Sequence, residues 1–413
     1  MTLATSIIPI AHRVDHFSYA IRNIVSEALR VEASGRRVRY LNIGNPPAFG
    51  FQPPPHLIEA VERAVRNGEN GYCPSAGIAP AREAVAEEYA RRGWPLSPDR
   101  VLITAGTSEA IDLVLSALVD PGMNVLVPRP TYSLYTAVLA KYGAEPVYYD
   151  TDPTRGWCPD LDGLDRLVTP ATRAIVVIDP NNPTGASYSP AVRMGLIEFA
   201  ERHGLPILAD EVYGDLGYSG SVPPIGSLAP DAAIVSLSSL SKGYAAPGWR
   251  TGWFAAGRSR RLDALVAAVQ KLADGRLCST TPTQYAIPAA LRGDRRPQQA
   301  MREALRERAA ITTSMLQAMP GVTCVAPTAA FYAMPKIALP PGKTDEDYVL
   351  ELLRTTGILC VYGSGFGMKP SDGYLRIVYL AAPDELRQVY TMMAEFTAEY
   401  LSGTAVASSM KPR

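Results

Sequence analysis

Short apolar segments alternate with helical patterns along the middle of the chain, between residues 101 and 256. Runs such as 125–127, 175–178 and 207–208 are almost wholly apolar, and the segments between them carry apolar residues at helical spacing. Strands of a parallel sheet are apolar throughout when helices cover both faces of the sheet. The alternation therefore predicts an α/β core with a mainly parallel sheet.

The two ends of the chain show different patterns. Residues 14–33 have the spacing of an amphipathic helix that ends near Gly35, and a strand beginning at Leu41 runs into a proline-rich loop. Beyond residue 290, helical patterns surround short strands at 331–334, 358–361 and 374–378. This mixture predicts a second, smaller α+β domain.

Length and charge narrow the classes of function. The chain has 413 residues, enough for two or three domains at roughly 100 to 200 residues each. Forty basic and forty acidic residues give a net charge of zero, which removes the electrostatic basis for binding nucleic acid or an anionic membrane. Its apolar runs are shorter than the ~20 residues of a membrane span, and its first residues lack secretory and transit patterns. We therefore expect a cytoplasmic protein that acts on a small molecule, with no nucleic-acid or membrane partner.

No metal site is predicted from the cysteines or histidines. The five cysteines are dispersed and include no C-x-x-C pair, which argues against a disulfide framework and a structural zinc site. His12 and His16 are four residues apart, as on one helix face, but no acidic residue or third ligand accompanies them.

Lysine is rare in this chain, and one lysine has unusual surroundings. Only seven of the forty basic residues are lysines, and Lys242 is the sole charged residue between Asp231 and Arg250. In such a segment the pKa of a lysine amine can fall, and the amine becomes an imine-forming nucleophile. The nearby Ser239, Ser241 and Arg250 are suitable phosphate ligands. The alternative is a solvated lysine in a loop.

Three more motifs follow predicted strands. Gly106 turns a strand end into a helix whose first N–H groups, at Thr107 and Ser108, can hold a phosphate; an ordinary helix cap is the alternative. Asn182 begins Asn-Pro-Thr-Gly at the carboxyl end of a strand, where open α/β sheets bind ligands, although the same string also suits a tight turn. Asp210 ends another apolar strand, three residues before Tyr213, and can hold a ligand cation or cap the next helix.

Together, Asn182, Asp210 with Tyr213, and Ser239-x-Ser-Lys242 with Arg250 resemble, in order and spacing, the fold-type I class I/II aminotransferases, which use pyridoxal phosphate. The resemblance runs from about Tyr19 to Phe396. Segments 19–22, 41–46, 71–77 and 276–278 look most like the alanine aminotransferase branch.

The resemblance implies a particular domain organisation. Residues 1–54 form an N-terminal segment that joins the small domain. Residues 55–290 form the large cofactor domain, with a mainly parallel seven-stranded sheet between helices, and residues 291–413 form the small α+β domain.

The resemblance also assigns the catalytic residues. Lys242 forms an imine with the cofactor and carries the proton between the substrate Cα and the cofactor C4′. Asp210 keeps the ring nitrogen protonated, so that the ring stores electrons best. Asn182 and Tyr213 bind the ring 3-oxygen, and Tyr132 stacks on the ring.

Phosphate and substrate ligands are implied in the same way. The phosphate is held by residues of three loops, with one tyrosine from the partner subunit of a homodimer that has shared sites: Gly106, Thr107, Ser108, Ser239, Ser241, Arg250 and Tyr72 of the partner. The substrate is held by Arg376, which clamps the α-carboxylate, and by Gly44, Asn182, Tyr19 and Arg22. In this assignment Arg22 is a mobile arginine that binds a second carboxylate.

The implied activity moves an α-amino group between an amino acid, alanine favoured, and a 2-oxo acid, 2-oxoglutarate or pyruvate, by a ping-pong mechanism. Aromatic or branched-chain aminotransferases, and a lyase, decarboxylase or oxidase on the same fold, are alternatives. A transcription regulator would need a DNA-binding module before the first strand, where only about forty residues lie. An inactive binding protein would be expected to lack part of the motif set.

Overall fold

The computed structural model describes residues 10–14 and 24–403. Short 3-10 turns join twelve α-helices in this part of the chain. The helices are α1 Val25–Ala33, α2 Pro55–Arg66, α3 Ala79–Arg91, α4 Thr107–Leu118, α5 Ser133–Tyr142, α6 Pro190–Arg202, α7 Asp263–Gly275, α8 Thr281–Gln284, α9 Ala286–Arg292, α10 Arg296–Gln317, α11 Asp345–Thr356 and α12 Pro383–Ser402.

Fifteen strands in the described residues form one large sheet and three small ones. The strands are β1 Arg39–Tyr40, β2 Val101–Thr104, β3 Asn124–Arg129, β4 Glu145–Asp152, β5 Cys158–Pro159, β6 Thr172–Ile178, β7 Ile207–Asp210, β8 Ile234–Ser239, β9 Gly252–Ala256, β10 Val322–Thr323, β11 Tyr332–Ala333, β12 Lys336–Ile337, β13 Ile358–Leu359, β14 Val361–Tyr362 and β15 Leu375–Val378.

The large sheet confirms the predicted α/β core but has eight strands rather than seven. Its order is β2-β9-β8-β7-β6-β3-β4-β5, with parallel pairing from β8 through β4 and an antiparallel β9. The extra strand, β5, pairs antiparallel with the end of β4 after a turn over residues 153–156. Two residues are too few to show a periodic pattern, so β5 could not be predicted from the sequence.

Helices cover both faces of this sheet, and the central strands present apolar residues to both of these faces. Val85, Phe199 and Ile287, from α3, α6 and α9, belong to the core on one face. Ile111 and Val269, from α4 and α7, belong to the core on the other. Strands β2, β3, β6, β7, β8 and β9 are thus almost wholly buried, as continuous apolar runs predict, whereas the edge strands β4 and β5 are partly exposed.

The first described helix is shorter than the predicted one. Of the expected helix over 14–33, the described residues show α1, which begins at Val25, and Val14 belongs to a 3-10 turn over His12–Val14. The intervening residues 15–23 lie outside the described part of the chain.

The N-terminal segment packs against the C-terminal part of the chain. Strand β1 pairs parallel with β13, and Leu41 shares a core with Leu353 and Tyr390. The small sheets, α10, α11 and α12 surround this core. This packing agrees with a smaller α+β unit completed by the N-terminal segment, whose boundaries remain a prediction.

Within residues 10–14 and 24–403, no helix is both long and apolar enough to cross a membrane.

A buried ion pair fixes the end of β6 against α6. Oδ2 of Asp179, the residue after β6, accepts a hydrogen bond from Nε of Arg193 at 2.7 Å, and both side chains are 5% exposed. Burial raises the pKa of Asp179, and the Arg193 charge opposes that rise. Breaking one member of such a pair leaves an uncompensated charge in the interior.

We therefore expect Arg193→Leu to lower the free energy of unfolding by about 3–5 kcal/mol, measured by urea titration. The control is Arg202→Leu, which breaks an exposed pair with Asp165 and should cost no more than about 1 kcal/mol. Equal losses of unfolding free energy in the two variants would show that the buried pair stabilises the fold no more than the exposed pair.

Candidate active site

The carboxyl ends of the parallel strands open into a cavity of about 640 Å³. Parallel strands end at one sheet edge, so the loops after β2, β6, β7 and β8 meet there. Twelve of the predicted site residues line this cavity: Gly44, Thr107, Ser108, Tyr132, Asn182, Asp210, Tyr213, Ser239, Ser241, Lys242, Arg250 and Arg376.

Lys242 lies three residues beyond β8, and its amine points into the cavity. Nζ donates a hydrogen bond to the carbonyl oxygen of Gly44 at 2.7 Å. Burial lowers the pKa of Lys242 to about 8, helped by the positive charges of Arg376 and Arg250 and opposed by Asp210. Near neutral pH this amine is therefore unprotonated far more often than an ordinary lysine, as a nucleophile or base requires.

Asp210, the last residue of β7, is a buried carboxylate in the cavity lining. Its Oδ2 accepts a hydrogen bond from the Tyr135 hydroxyl at 3.2 Å, and its Oδ1 accepts one from the Val212 N–H at 3.3 Å. Burial raises the pKa of Asp210 to about 6 despite these bonds and the Lys242 charge. A ligand cation next to this carboxylate would favour its ionised form.

The start of α4 has the geometry of a phosphate cradle. Gly106 precedes the helix with φ of 80°, no side chain caps the helix, and the buried Thr107 Oγ1 has no hydrogen-bond partner among the described residues. A Cβ on Gly106 would lie 2.5 Å from Nη2 of Arg250, and the φ of 80° is one that other residues rarely adopt, so glycine suits this position. Free N–H groups, hydroxyls and a guanidinium at one helix N-terminus fit a phosphate group.

Arg376 on β15 is buried and held from several sides. Nη1 donates to Oδ1 of Asn182 at 3.1 Å, and Nη2 donates to the carbonyl oxygen of Asn42. The guanidinium also lies over the rings of Phe366 and Tyr332, at 4.7 and 4.9 Å from their centroids. A guanidinium fixed in this way presents a planar fork to a carboxylate.

Tyr332 contacts both Tyr213, in the loop after β7, and Arg376, on β15. Its hydroxyl lies 2.8 Å from the Tyr213 hydroxyl, while its ring faces Arg376. A Cβ on Gly44 would lie 2.4 Å from the Tyr332 hydroxyl, so Gly44 makes room for this ring.

Sequence reasoning did not single out Tyr332, Tyr135, Asn42 or Phe366. Tyr332 falls in a correctly predicted strand pattern, but only the pairing of β11 with β15 brings it beside Arg376. Asn42 falls in segment 41–46, which carries part of the family resemblance, but no short motif marks the other three residues.

Of the other four predicted site residues, the structure places two, Tyr72 and Gly106. Tyr72 is 85% exposed and does not line the cavity of its own chain. Gly106 lies behind the lining, against Arg250. Tyr19 and Arg22 lie outside the described residues, so the structure does not place them.

The amine of Lys242 lies at one sheet edge with a phosphate cradle and a carboxylate-binding arginine, and its pKa is lowered. The buried carboxylate of Asp210 lies in the same cavity. This arrangement defines a fold-type I pyridoxal phosphate enzyme. Residues 37–390 match the family described as aminotransferase class I and II, and the chain belongs to this family. The enzyme is an aminotransferase, with pyridoxal phosphate as cofactor.

Named relatives are similar over nearly the whole chain. The glutamate-pyruvate aminotransferase AlaA of Haemophilus influenzae is 37% identical over 404 residues, 95% of this chain and 98% of that protein. The alanine aminotransferase of Mycobacterium tuberculosis is 37% identical over 92% of this chain and 91% of its own length. The solved structure of an alanine aminotransferase from Pyrococcus furiosus has a TM-score of 0.92 and 37% identity, covering 95% of this chain and all of that one.

The contact between Tyr332 and Arg376 leads to a prediction about carboxylate binding. Tyr332→Leu removes the ring and should weaken the binding of propionate, a carboxylate without an amine, by about tenfold, or ~1.4 kcal/mol. Tyr332→Phe keeps a ring over Arg376 and should stay within about twofold of the wild type. Inhibition constants measure both effects, and equal weakening in the two variants would contradict a role for the ring.

Proposed function

We propose that this aminotransferase exchanges the amino group between alanine and 2-oxoglutarate, giving pyruvate and glutamate, in a ping-pong reaction. The proposal rests on one observation above all, the meeting of Lys242, Asp210 and Arg376 in a single cavity. The names of the similar proteins from Haemophilus influenzae and Mycobacterium tuberculosis support the substrate pair.

The cavity residues fit the cofactor group by group. Pyridoxal phosphate supplies an electron sink for the pair released when the substrate Cα loses its proton. Thr107, Ser108, Ser239, Ser241 and Arg250 would hold the phosphate through N–H, hydroxyl and guanidinium groups.

Asp210 would hold the ring nitrogen in its protonated form. Burial raises the pKa of Asp210, and the protonated ring nitrogen next to it would favour the ionised carboxylate. Oδ1 of Asn182 accepts a bond from Arg376, which leaves the amide nitrogen of Asn182 as the donor toward the ring 3-oxygen. Tyr213 would donate to the same oxygen, and Tyr132 would lie against the ring.

Lys242 would move the proton during the reaction. With a pKa near 8, its amine can accept the proton from the substrate Cα and deliver it to C4′ of the cofactor. Arg376 would bind the α-carboxylate and so fix the Cα–H bond relative to that amine.

Arg22 is our candidate for the second carboxylate of 2-oxoglutarate. A cation buried permanently beside the substrate side chain would be left unpaired when alanine is bound. A mobile arginine avoids that cost because it stays in water until a dicarboxylate binds. This assignment, like that of Tyr19, rests on the resemblance of segment 19–22 to the alanine branch.

The proposal also includes a homodimer whose subunits share their active sites. It places the enzyme in the cytoplasm. Tyr72 has the exposure expected of a residue that reaches a neighbouring subunit. The five cysteines are free, in keeping with a reducing compartment.

The test of function is a panel of amino donors against pyruvate and 2-oxoglutarate, with release of the 2-oxo acid measured. Alanine and glutamate should exceed tyrosine and leucine by about tenfold or more in kcat/KM, equivalent to ~1.4 kcal/mol in transition-state binding. Preference for tyrosine or leucine would support the aromatic or branched-chain alternative.

Two controls belong to this panel. Borohydride should attach the cofactor to the peptide that contains Lys242, and Lys242→Ala should lose that adduct together with turnover. Loss of the amino group without transfer to an acceptor would indicate lyase or oxidase chemistry instead.

The composite site makes a separate prediction about mixed dimers. Tyr72→Phe subunits mixed with Lys242→Ala subunits should give hybrid dimers with one undamaged site, or about a quarter of all sites after random exchange between two-fold dimers. Activity should return on mixing, although each variant alone is impaired. No recovery, with hybrid dimers demonstrated by mass spectrometry, would mean that each chain builds its own site.

A further inference from the structure

A second cavity lies away from the active site, between the end of α3, the loop at residues 221–223 and the first turns of α10. Its volume is about 300 Å³, at the lower end of the range for small-molecule pockets. Its lining is strongly polar and includes four arginines, two acids and a glutamine: Arg91, Arg92, Arg295, Arg302, Glu88, Asp215 and Gln298.

The charges of this lining do not balance. Buried Glu88 attracts Arg91, Arg92 and Arg295, with Nη2 of Arg295 at 2.8 Å from Oε2. Asp215 lies 3.8 Å from Nη1 of Arg295. Four arginines against two carboxylates leave an excess of two positive charges.

Arg302 contributes to this excess of positive charge. It donates to the backbone carbonyl of Asp215 at 3.2 Å, and it forms no ion pair with any residue in the described part of the chain. A guanidinium on a cavity wall with only a neutral acceptor can bind an anion without first giving up a carboxylate.

Gln298 gives a second, independent indication of a ligand. The residue is only 2% exposed, yet neither Nε2 nor Oε1 has a hydrogen-bond partner among the described residues. Buried polar atoms of this kind normally have partners. The cavity ligand should therefore offer Gln298 both an acceptor and a donor.

We propose that this cavity binds inorganic phosphate as hydrogenphosphate. Its two negative charges match the excess charge of the lining, and its bare oxygens can accept hydrogen bonds from Arg302 and from Nε2 of Gln298. Its single O–H can donate to Oε1 of Gln298. Sulfate has the same shape and charge but no O–H at neutral pH, so it cannot satisfy both atoms of the amide.

The phosphate site is connected to the segment that follows Lys242. Asp215 packs against Gly243, where a Cβ would lie 3.0 Å from the Asp215 Cβ, and Arg295 donates to the hydroxyl of Tyr244. Asp215 and Arg295 therefore join the lining of this cavity to residues 243 and 244, directly after Lys242.

The experiment uses the enzyme loaded with pyridoxal phosphate, so that the cofactor's own phosphate site is filled. Calorimetric titration should find one inorganic phosphate per chain, bound about fivefold or more tightly than sulfate. The melting temperature should rise with phosphate more than with chloride at equal ionic strength. Neither measurement needs turnover, so the result is independent of the proposed substrates.

Two variants and two matched controls locate the site. Gln298→Leu should abolish the preference for phosphate over sulfate, and Arg302→Gln should weaken both anions by about tenfold. Gln299→Leu and Arg306→Gln change exposed neighbours on the same helix, outside the cavity lining, and should leave binding unchanged.

The Gln298→Leu protein should fold well, because the change removes an unpartnered buried amide; its melting temperature without phosphate checks this. If the Gln298→Leu protein does not fold, Arg302→Gln still tests the site independently. Absence of phosphate binding to the loaded enzyme, or binding that neither Gln298→Leu nor Arg302→Gln alters, would overturn the proposal.

Discussion

The imbalance of charge in the main cavity is the constraint on which the site depends. Three cations, Lys242, Arg250 and Arg376, share the cavity with one buried carboxylate, Asp210. The two arginines help lower the pKa of Lys242, while burial raises the pKa of Asp210. Lys242 and Asp210 are therefore both shifted toward their neutral forms until a ligand supplies the missing counter-charge. A phosphate beside Arg250, a carboxylate on Arg376 and a ring cation beside Asp210 would all relieve this imbalance.

The fold holds these charges in place through contacts between distant parts of the chain. Arg376 lies on a strand of a small sheet, yet it donates to Asn182 in a loop of the large sheet. Tyr332, on the strand next to that of Arg376, meets Tyr213 from the loop after β7. The carboxylate clamp and the cofactor loops are thus joined by two hydrogen bonds. Movement of the small sheet relative to the large one would change both the clamp and the hydroxyl of Tyr213.

How much of this site the sequence predicts depends on where each residue lies in the chain. Lys242, Asp210, Asn182 and Gly106 lie at the ends of apolar strands or within four residues of them, and parallel strands end at one edge, so local pattern predicts that they are neighbours. Their roles came from the family resemblance. Tyr135 and Tyr332 could not be found in this way, because their roles arise from packing and strand register. For the fold, the alternation of strands and helices was enough to predict the core, whereas the two-residue strand β5 was too short to leave a pattern.

In the proposed mechanism, substrate selection comes from a different part of the chain than binding of the α-carboxylate. In the described residues, the cations lining the cavity are Lys242, Arg250 and Arg376, and the proposed mechanism uses all three for groups that every substrate or the cofactor carries. Arg376 is also fixed by two hydrogen bonds and two rings, so it cannot turn to a second carboxylate. A dicarboxylate substrate therefore needs a further donor that is absent from the cavity when alanine is bound. The role proposed for Arg22, in the N-terminal segment, would meet that requirement without leaving a buried charge unpaired.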